Sequence, residues 1–441
     1  MITKTKLTVT ERIVQLLQHL GIEKAHFASR SLDDLTGFAK RHPEMFASLT
    51  LVCPATPPID IISPLGSKLL VFRGDGSDYD PLSQVIETLP DAILAVLQND
   101  SAWSDLVARH AEEITSALLP FLEKHTSAEL SNLAINDKTY GVVAGISYHI
   151  QGSGPPLVLM PLGLVPSQWE PIIPVLAEKY CTISLGGAEL GMVSLLEKRA
   201  ATAGYLDMVK ALVQEAQLQP GESALEVGCG TGALSRWLAR HTDRRNPITG
   251  VDINRYFLRE ASDMARTDDL GDVVQFRDGD ATALPFTDDQ FDMTISVTAL
   301  EELDADAALA EMIRVTKPGG TVGVIVRAKD IPYFVNLPLD DVLKAKVQHP
   351  SAQGGDAAEK GCADASLYRR FQASPLTDVK MFPYLAALNE EFVIDIFQGN
   401  VGYILDQTEK EELQKACAQA RVDGTFVFSY PHHCAVGKKA A

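Results

Sequence analysis

The most constraining feature of the sequence is a glycine-rich turn between a short apolar strand and a helix. In SALEVGCGTGALSRWLAR, residues 223–240, the pattern SALEV predicts a strand, ALSRWLAR predicts a helix, and glycines stand at 228, 230 and 232. Such glycines let a ligand approach the backbone closely, and the helix N–H groups then face that ligand. The strand carries an acid, Glu226, and the third glycine comes one residue earlier than in G-x-G-x-x-G. These two departures disfavour a dinucleotide fingerprint.

Further strand endings follow this turn at regular intervals. The segment NPITGVDI predicts a strand that ends at Asp252, and VVQFRDGDATALPF places Asp280 and Ala281 at another strand tip. The run FDMTISV predicts a strand that ends at Val297, and RVTKPGG indicates a helix, a Pro-Gly-Gly turn and a strand. A carboxylate at the tip of the second strand of such a unit can hold both hydroxyls of a ribose. The order of these elements therefore predicts an edge that binds a nucleoside.

The motifs EVGCGTG, VDI, GDATALPF, FDMTISV and RVTKPGG resemble, in order and spacing, those of class I S-adenosylmethionine-dependent methyltransferases. The nearest resemblance is to the small-molecule branch that includes ubiquinone and menaquinone C-methyltransferases, and it covers residues 200–441. It implies an α/β fold with a Rossmann-like, seven-stranded sheet. It also implies S-adenosyl-L-methionine as the cofactor and direct transfer of its methyl group to a small-molecule acceptor.

The resemblance also implies a role for each matching residue. Asp252 would take the ribose hydroxyls, Ile253 would pack on the adenine, and Val297 would line the floor of the cofactor site. Asp280 would accept a hydrogen bond from the adenine amino group beside the backbone of Ala281. The methionine part of the cofactor would be held by Glu226, Gly228, Cys229, Gly230 and Gly232. The alternative interpretation treats Asp252 and Asp280 as solvated turn residues at strand ends.

No catalytic residue is identified from the sequence, because a base is needed only if the acceptor must lose a proton. Candidates near the expected site are Glu301, Glu302, Tyr333, His432 and His433. The acidic pair is also typical of a solvated helix start. Adjacent histidines on a strand point to opposite faces, which favours one packed and one solvated ring and no shared metal. Tyr205 could close over the cofactor or belong to the core.

Composition and charge limit the number of domains and the kinds of partner that we expect. The chain has 441 residues, more than one ordinary core, so two or three domains are expected. Its net charge of −19 disfavours nucleic acid and anionic membrane surfaces as partners. Six cysteines form no C-x-x-C pair, which indicates neither a zinc knuckle nor a redox dithiol. The sequence also lacks an apolar signal core and a membrane-spanning run, so we expect a cytoplasmic protein.

The N-terminal part of the chain predicts a second α/β domain. Residues 1–125 alternate helix and strand patterns and resemble the second half of an α/β-hydrolase, with buried strands in SKLLVFRGDG and AILAVLQN. Residues 139–187, including SYHIQGSGPPLVLMPLG, resemble the first half of that fold. The two halves stand in reversed order, as in a circular permutant.

The hydrolase-like part lacks a complete set of catalytic residues. Ser31, in HFASRSLDD, aligns with the nucleophile, but Ser29 and Asp33 replace the glycines that relieve a nucleophile elbow. Asp75 or Asp78 could supply the acid, whereas NDSAWSD contains no histidine. Without a base the serine stays protonated and is a poor nucleophile. We therefore expect a degenerate, non-hydrolytic domain.

The expected organisation is a hydrolase-like accessory domain at 1–187, a helical connector at 188–217 and a methyltransferase domain at 218–441. The accessory domain could cover the substrate cavity, form the interface of a homodimer or be an independent passenger. Two other functions stay open: a non-catalytic scaffold that binds the cofactor, and a bifunctional hydrolase–methyltransferase.

Overall fold

The computed structural model describes residues 7–30, 34–54, 59–75, 86–89, 91–98, 106–128, 130, 139–162, 166–349, 351, 357–402 and 404–440. The chain divides into two compact units, Met1–Leu195 and Leu196–Ala441. This division falls inside the segment 188–217 that the sequence predicts as a connector. The predicted helical character of that segment is present, with helices at Gly191–Ala201 and Ala203–Ala216.

The first unit is built on an eight-stranded sheet with the order β4-β3-β2-β1-β7-β8-β6-β5. Its strands are β1 (Ala25–Ser29), β2 (Phe46–Val52), β3 (Leu69–Gly74), β4 (Ile93–Leu97), β5 (Tyr140–Val143), β6 (Ile146–Gln151), β7 (Pro156–Leu159) and β8 (Cys181–Gly186). Its helices are α1 (Val9–His19), α2 (Thr36–Arg41), α3 (Ile59–Ile62), α4 (Leu106–Arg109), α5 (Ala111–His125) and α6 (Ile173–Leu176). Short 3-10 helices cover Pro43–Met45, Ser63–Lys68 and Pro166–Trp169.

Alternate side chains of this sheet enter two separate apolar clusters. On β1, Phe27 belongs to the cluster that includes α1, whereas Ala28 belongs to the cluster that includes α5. This alternation is that of a sheet covered on both faces. The prediction that β4 is buried is wrong: Ile93 and Val96 are exposed because β4 is an edge strand.

The second unit has a sheet with the order β11-β10-β9-β12-β13-β16-β14, and β15 pairs with β16. Its strands are β9 (Ala224–Val227), β10 (Ile248–Asp252), β11 (Val274–Asp278), β12 (Phe291–Val297), β13 (Thr316–Arg327), β14 (Phe334–Val335), β15 (Leu376–Leu388) and β16 (Phe428–Lys439). Helix α7 (Gly191–Ala201) spans the division between the units. The other helices are α8 (Ala203–Ala216), α9 (Ala233–His241), α10 (Arg255–Thr267), α11 (Ala305–Val315), α12 (Asp341–Gln348), α13 (Ser366–Ala373), α14 (Glu391–Gly402) and α15 (Gln407–Asp423).

This sheet counts eight strands rather than the expected seven. The extra strand, β14, pairs with Phe428 and Ser429 of β16, just beyond the point where Arg327 of β13 faces His432. Strand β14 therefore pairs with the part of β16 that β13 leaves free. The predicted Pro-Gly-Gly turn also lies within β13, where the register against β12 shifts and Gly319 has a φ of +80°.

The arrangement of the strands creates the edge on which a ligand can bind. Strands β9 to β13 are parallel, and β16 is antiparallel to β13. The chain leaves β9 toward β10 on one side and later returns to β12 on the other. Ligands of open α/β sheets bind outside the carboxyl ends of the strands at such a switch point.

Apolar residues cover both faces of this second sheet. On β13, Val324 faces the cluster that includes α11 and α13, and Ile325 faces the cluster that includes α8. A third apolar cluster joins α12, α14 and α15 with the start of β16. Among the helices that the structure describes, none combines the length and the apolar character needed to span a membrane.

Candidate cofactor and acceptor site

The glycine turn after β9 is held by hydrogen bonds to the neighbouring strand. The N–H groups of Gly228 and Cys229 both donate to the carbonyl oxygen of Val251, at 2.8 and 3.0 Å. Gly228, Gly230 and Gly232 have φ angles of +74°, +51° and +68°, which favour glycine. The sequence therefore places glycine at each turn position that needs a left-handed backbone.

Two of these glycines are closely packed against other residues, and the third, Gly230, has open space beside its Cα atom. A Cβ atom on Gly228 would overlap Ala299, and one on Gly232 would overlap the ring of Phe276. A Cβ atom on Gly230 would have Leu196 Cδ1 as its nearest neighbour, at 3.8 Å. Gly230 thus forms a small cradle that a side chain would fill.

Asp252, at the end of β10, is fixed beside this turn. Its Oδ2 accepts a hydrogen bond from the N–H of Gly230 at 2.8 Å, and its Oδ1 accepts one from the N–H of Asn254 at 2.8 Å. Burial raises the pKa of Asp252, and the two N–H donors oppose that rise. Each carboxylate oxygen keeps a second lone pair for another donor.

Glu226 is buried within β9 and accepts a hydrogen bond from the hydroxyl of Ser235 in the first turn of α9. Burial is the main reason that the pKa of Glu226 rises to about 7. The nearby Asp252 raises this pKa further, whereas Ser235 and Arg236 lower it. The site therefore contains two desolvated carboxyl groups, whose ionisation a cation would favour.

The remaining predicted contacts lie at the ends of neighbouring strands. Ile253 is 70% exposed directly after Asp252, which makes it an unusual apolar surface at a strand tip. Asp280 follows β11 and accepts hydrogen bonds at its Oδ1 from the N–H and the hydroxyl of Thr282, both at 2.8 Å. Ala281 and Val297 are buried. Each of these residues lies at the carboxyl edge of the sheet, as expected from the sequence.

The glycine turn is stabilised by a buried arginine, Arg236, which the sequence did not indicate as a functional residue. Arg236 is buried on α9, donates to the carbonyl oxygen of Thr231 at 2.7 Å and pairs with Glu197 of α7 and with Asp268. The hydroxyl of Thr231 also donates to Glu197, at 2.6 Å. Because Glu197 and Arg236 are 39 positions apart, no local pattern indicates this contact.

The chain after β12 has a strained residue. Thr298 has a φ of +55°, which is rare for a β-branched residue, and its N–H donates to the carbonyl oxygen of Ile325 at 2.8 Å. Its hydroxyl lies 3.4 Å from the hydroxyl of Tyr205, on α8. Strained backbones of this kind cluster at functional sites.

Glu301 is not part of a solvated helix start. It is fully buried, and its Oε1 accepts hydrogen bonds from the backbone N–H of Arg327 at 2.7 Å and from the guanidinium of that residue. Burial raises the pKa of Glu301, and Arg327 opposes the rise. The exposed Glu302 binds the same guanidinium at 2.8 Å. This acidic pair therefore neutralises Arg327.

Both histidines of β16 are buried, so the expectation of one solvated ring is wrong. His432 and His433 point to opposite faces, as predicted, but helices cover each face. His433 lies 2.8 Å from the hydroxyl of Tyr368 and 2.7 Å from Asp330 Oδ1. His432 contacts the carbonyl oxygen of Tyr430 through its Nδ1 at 2.9 Å, and burial lowers the pKa of His432 to about 3.

Two tyrosines among the candidates, Tyr333 and Tyr205, are buried. Tyr333 is buried in the cluster formed by α12, α14 and α15. Tyr205 lies on α8 and is buried in the apolar cluster of that helix, and its hydroxyl lies 3.4 Å from the hydroxyl of Thr298. Among the described residues, no group of three or more potential metal ligands is present.

The residues at this edge fit S-adenosylmethionine. That cofactor carries a sulfonium and an ammonium, and the edge offers the buried carboxyl group of Glu226 and the partly buried one of Asp252. The open cradle at Gly230 leaves room beside the backbone, and the exposed Ile253 offers an apolar surface for an aromatic base.

Comparison with known proteins identifies the class of this domain. Residues 225–324 match the family model of the methyltransferase domain. The matched segment contains the glycine turn, Asp252, Asp280 and Val297. Residues 225–324 are therefore similar to methyltransferase domains, for which S-adenosylmethionine is the cofactor.

Individual relatives are similar to part of the chain. The methyltransferase GfsG of Streptomyces halstedii is 35% identical over 142 residues, which are 32% of this chain and 48% of the relative. The demethylmenaquinone methyltransferase of Desulfitobacterium hafniense is 36% identical over 121 residues, which are 27% of this chain and 48% of the relative. The chain thus spans about half the length of these curated relatives.

Among solved structures, the YcgJ protein of Bacillus subtilis aligns with 54% of this chain and 99% of its own, at 18% identity and a TM-score of 0.38. The geranyl diphosphate C-methyltransferase of Streptomyces coelicolor, solved with S-adenosyl-L-homocysteine, aligns with 53% of this chain and 79% of its own. Its identity is 13% and its TM-score is 0.35.

Proposed function

We propose that this protein transfers the methyl group of S-adenosylmethionine to a small-molecule acceptor. The observation that carries the proposal is the pair of carboxyl groups, the buried Glu226 and the partly buried Asp252, beside a glycine turn at the switch point of the second sheet. The sulfonium methyl is already activated, so direct displacement needs alignment and exclusion of water rather than a covalent intermediate on the protein.

The proposed binding roles follow from the donors and acceptors at the edge. Asp252, already oriented by two N–H groups, has lone pairs left for two ribose hydroxyls. Glu226 and the turn formed by Gly228, Cys229, Gly230 and Gly232 would hold the methionine part. Ile253 would pack on the adenine, Asp280 and Ala281 would contact its amino edge, and Val297 would form the floor.

None of the five candidate bases is proposed as a proton acceptor. Glu301 and Glu302 are engaged by Arg327, and His433 is engaged by Tyr368 and Asp330. Tyr333 packs in a different apolar cluster, and the pKa of His432, about 3, makes it a weak base. The chemistry proposed for this chain is therefore alignment of the acceptor with the methyl group.

The experiment that tests this proposal measures S-adenosylhomocysteine formation. The full chain is incubated with S-adenosylmethionine and the small-molecule fraction of a cell extract, with Asp252→Ala as the matched control. We expect product above the control and an acceptor whose mass rises by one methyl group. Product at the level of the control throughout would contradict methyl transfer and favour a non-catalytic protein that binds the cofactor.

We propose that the first unit is a degenerate, permuted α/β-hydrolase-like domain. In support, the strands of the predicted second half, β1–β4, lie on one side of the sheet, and those of the predicted first half, β5–β8, lie on the other. The halves meet where β1 pairs in parallel with β7. One continuous sheet is what a reversed order of the two halves requires.

The proposed loss of hydrolytic activity in the first unit is supported by the sequence alone. Ser31, Asp33, Asp78 and the segment NDSAWSD lie outside the described residues. Ser29 is buried at the end of β1, and Asp75 is exposed. The proposed domain limits stay at 1–187, 188–217 and 218–441. The six cysteines are all buried and unpaired, which supports a reducing compartment such as the cytoplasm.

A further inference from the structure

Arg199, on α7, is a cation without a carboxylate partner among the residues that the structure describes. Its guanidinium lies over the ring of Tyr205, with its carbon 5.2 Å from the ring centroid. Its Nε is buried and has no hydrogen-bond partner among the described residues. An unpaired buried donor on a charged group costs free energy, so natural structures usually satisfy it.

Two other arginines of this unit, Arg236 and Arg327, are paired with carboxylates. Arg236 binds Glu197 and Asp268, and Arg327 binds Glu301 and Glu302. Arg199 differs from these two arginines because no carboxylate among the described residues pairs with its guanidinium.

Contacts connect Arg199 to the cofactor edge. Its neighbour Tyr205 reaches Thr298 at 3.4 Å, and Thr298 directly follows Val297 at the end of β12. The next residue, Ala299, packs against the backbone of Gly228 in the glycine turn. Arg199 and Tyr205 therefore lie beside the carboxyl end of β12, where an acceptor must meet the methyl group.

His432 adds a hydrogen-bond acceptor to the same group. Its ring centroid is 6.4 Å from that of Tyr205. Because a carbonyl oxygen can only accept, the contact of Nδ1 with the carbonyl of Tyr430 places the proton on Nδ1. The Nε2 atom of neutral His432 is then an acceptor for a hydroxyl, since burial keeps the pKa of His432 low.

We infer that Arg199, Tyr205 and His432 form the acceptor subsite, and that the acceptor carries a carboxylate or a comparable planar oxygen anion which binds Arg199. The inference rests on the proposed methyltransferase function. Arginine presents Nε–H and Nη–H as a fork that matches such an anion, and the unpartnered Nε belongs to that fork. The strained Thr298 keeps Tyr205 oriented toward the same space.

The test compares two probes of equal shape, benzoate and benzamide, in the full chain saturated with S-adenosylhomocysteine. Binding is measured by calorimetry for the wild type, Arg199→Met, Arg199→Lys and the control Arg369→Met, which alters an exposed arginine on α13. We expect the wild type and the control to bind benzoate at least tenfold more tightly than benzamide. Arg199→Met should lose this preference, and Arg199→Lys should keep part of it.

A second readout separates a binding role from a structural one. Removing an unpaired cation should raise the melting temperature of the unliganded protein, whereas removing a structural arginine should lower it. Equal benzoate affinity in the wild type and Arg199→Met, no preference for benzoate, or a lower melting temperature of Arg199→Met would overturn the inference. Failure of the wild type to bind S-adenosylhomocysteine would instead contradict the proposed function.

Discussion

The cofactor edge and the acceptor subsite of the second unit differ in charge and in how the sequence builds them. The cofactor edge combines carboxyl groups with backbone N–H donors, and Glu226, Gly230 and Asp252 come from two successive strands and one turn. The acceptor subsite combines a guanidinium, a phenol and a neutral imidazole from Arg199, Tyr205 and His432, which are more than 200 positions apart at the extremes. A cationic cofactor suits the first region, and an anionic acceptor suits the second.

The carboxyl groups lie at the cofactor edge, and the guanidinium lies in the acceptor subsite. Burial raises the pKa values of Glu226 and Asp252, and it lowers the pKa of His432. In each case desolvation favours the neutral form of the side chain. A bound charge of the opposite sign would offset that cost on the carboxylate side, and the guanidinium of Arg199 would bind an anion.

The largest effect is expected from Asp252→Ala, which removes the carboxylate proposed to hold the ribose. Charged hydrogen bonds contribute about 1.5–3 kcal/mol each, so the loss of two should weaken cofactor binding by about 3–6 kcal/mol. Calorimetric titration with S-adenosylhomocysteine measures the change. The matched control is Asp278→Ala, an exposed carboxylate on β11. Equal losses in the two variants would break the assignment of Asp252.

A comparison of Gly232→Ala with Gly230→Ala separates packing from ligand space. At Gly232, a Cβ atom overlaps Phe276 at a φ of +68°, so we expect the free energy of unfolding to fall by about 2–4 kcal/mol. At Gly230, the neighbouring space is open, so the fold should lose less. Gly230→Ala should nevertheless weaken cofactor binding, because the methyl group fills the cradle. Urea unfolding and calorimetry measure the two effects, and similar stabilities would contradict this division.

The pKa of Glu226 predicts a pH dependence of stability. Since this pKa rises from 4.5 to about 7 on folding, the folded state binds more protons than the unfolded state between these values. The free energy of unfolding should therefore fall by about 2 kcal/mol from pH 5 to 7.5, relative to Glu226→Gln. Urea unfolding of both proteins at several pH values measures the difference. Parallel pH profiles would show that Glu226 does not titrate as described.

The smallest effect is expected in the first unit, from Ser31→Ala. If the hydrolase-like domain is degenerate, hydrolysis of an activated ester should be near background, and methyl transfer should not change. The assay uses p-nitrophenyl acetate with the wild type and the variant. Robust esterase activity that disappears in Ser31→Ala would overturn the proposed loss of hydrolytic chemistry.

The cofactor edge was largely predictable from the sequence because its determinants are local. The left-handed backbone angles at positions 228, 230 and 232 require glycine. Asp252 is the last residue of β10, so the predicted end of that strand located it. Strand tips of a parallel sheet meet at one edge, so their order along the chain was sufficient to group Asp252, Asp280 and Val297.

The rest depends on contacts that no local pattern contains. Glu301 resembles an exposed helix start in sequence, and only the pairing of β12 with β13 brings Arg327 onto it. The alternation of β16 predicted opposite faces for His432 and His433, but the burial of both rings results from helices elsewhere in the chain. Arg199 and Arg236 are indistinguishable by sequence, since only their partners in space separate a paired from an unpaired guanidinium.

The proposed function requires the second unit to bind S-adenosylmethionine at its acidic edge. Calorimetric titration of the full chain with S-adenosylhomocysteine at pH 7.5 tests it most directly. We expect one binding site per chain, with binding that weakens as Glu226 is protonated at lower pH. A folded chain that shows no binding, or binding that strengthens as the pH falls below 7, would contradict cofactor binding at this edge.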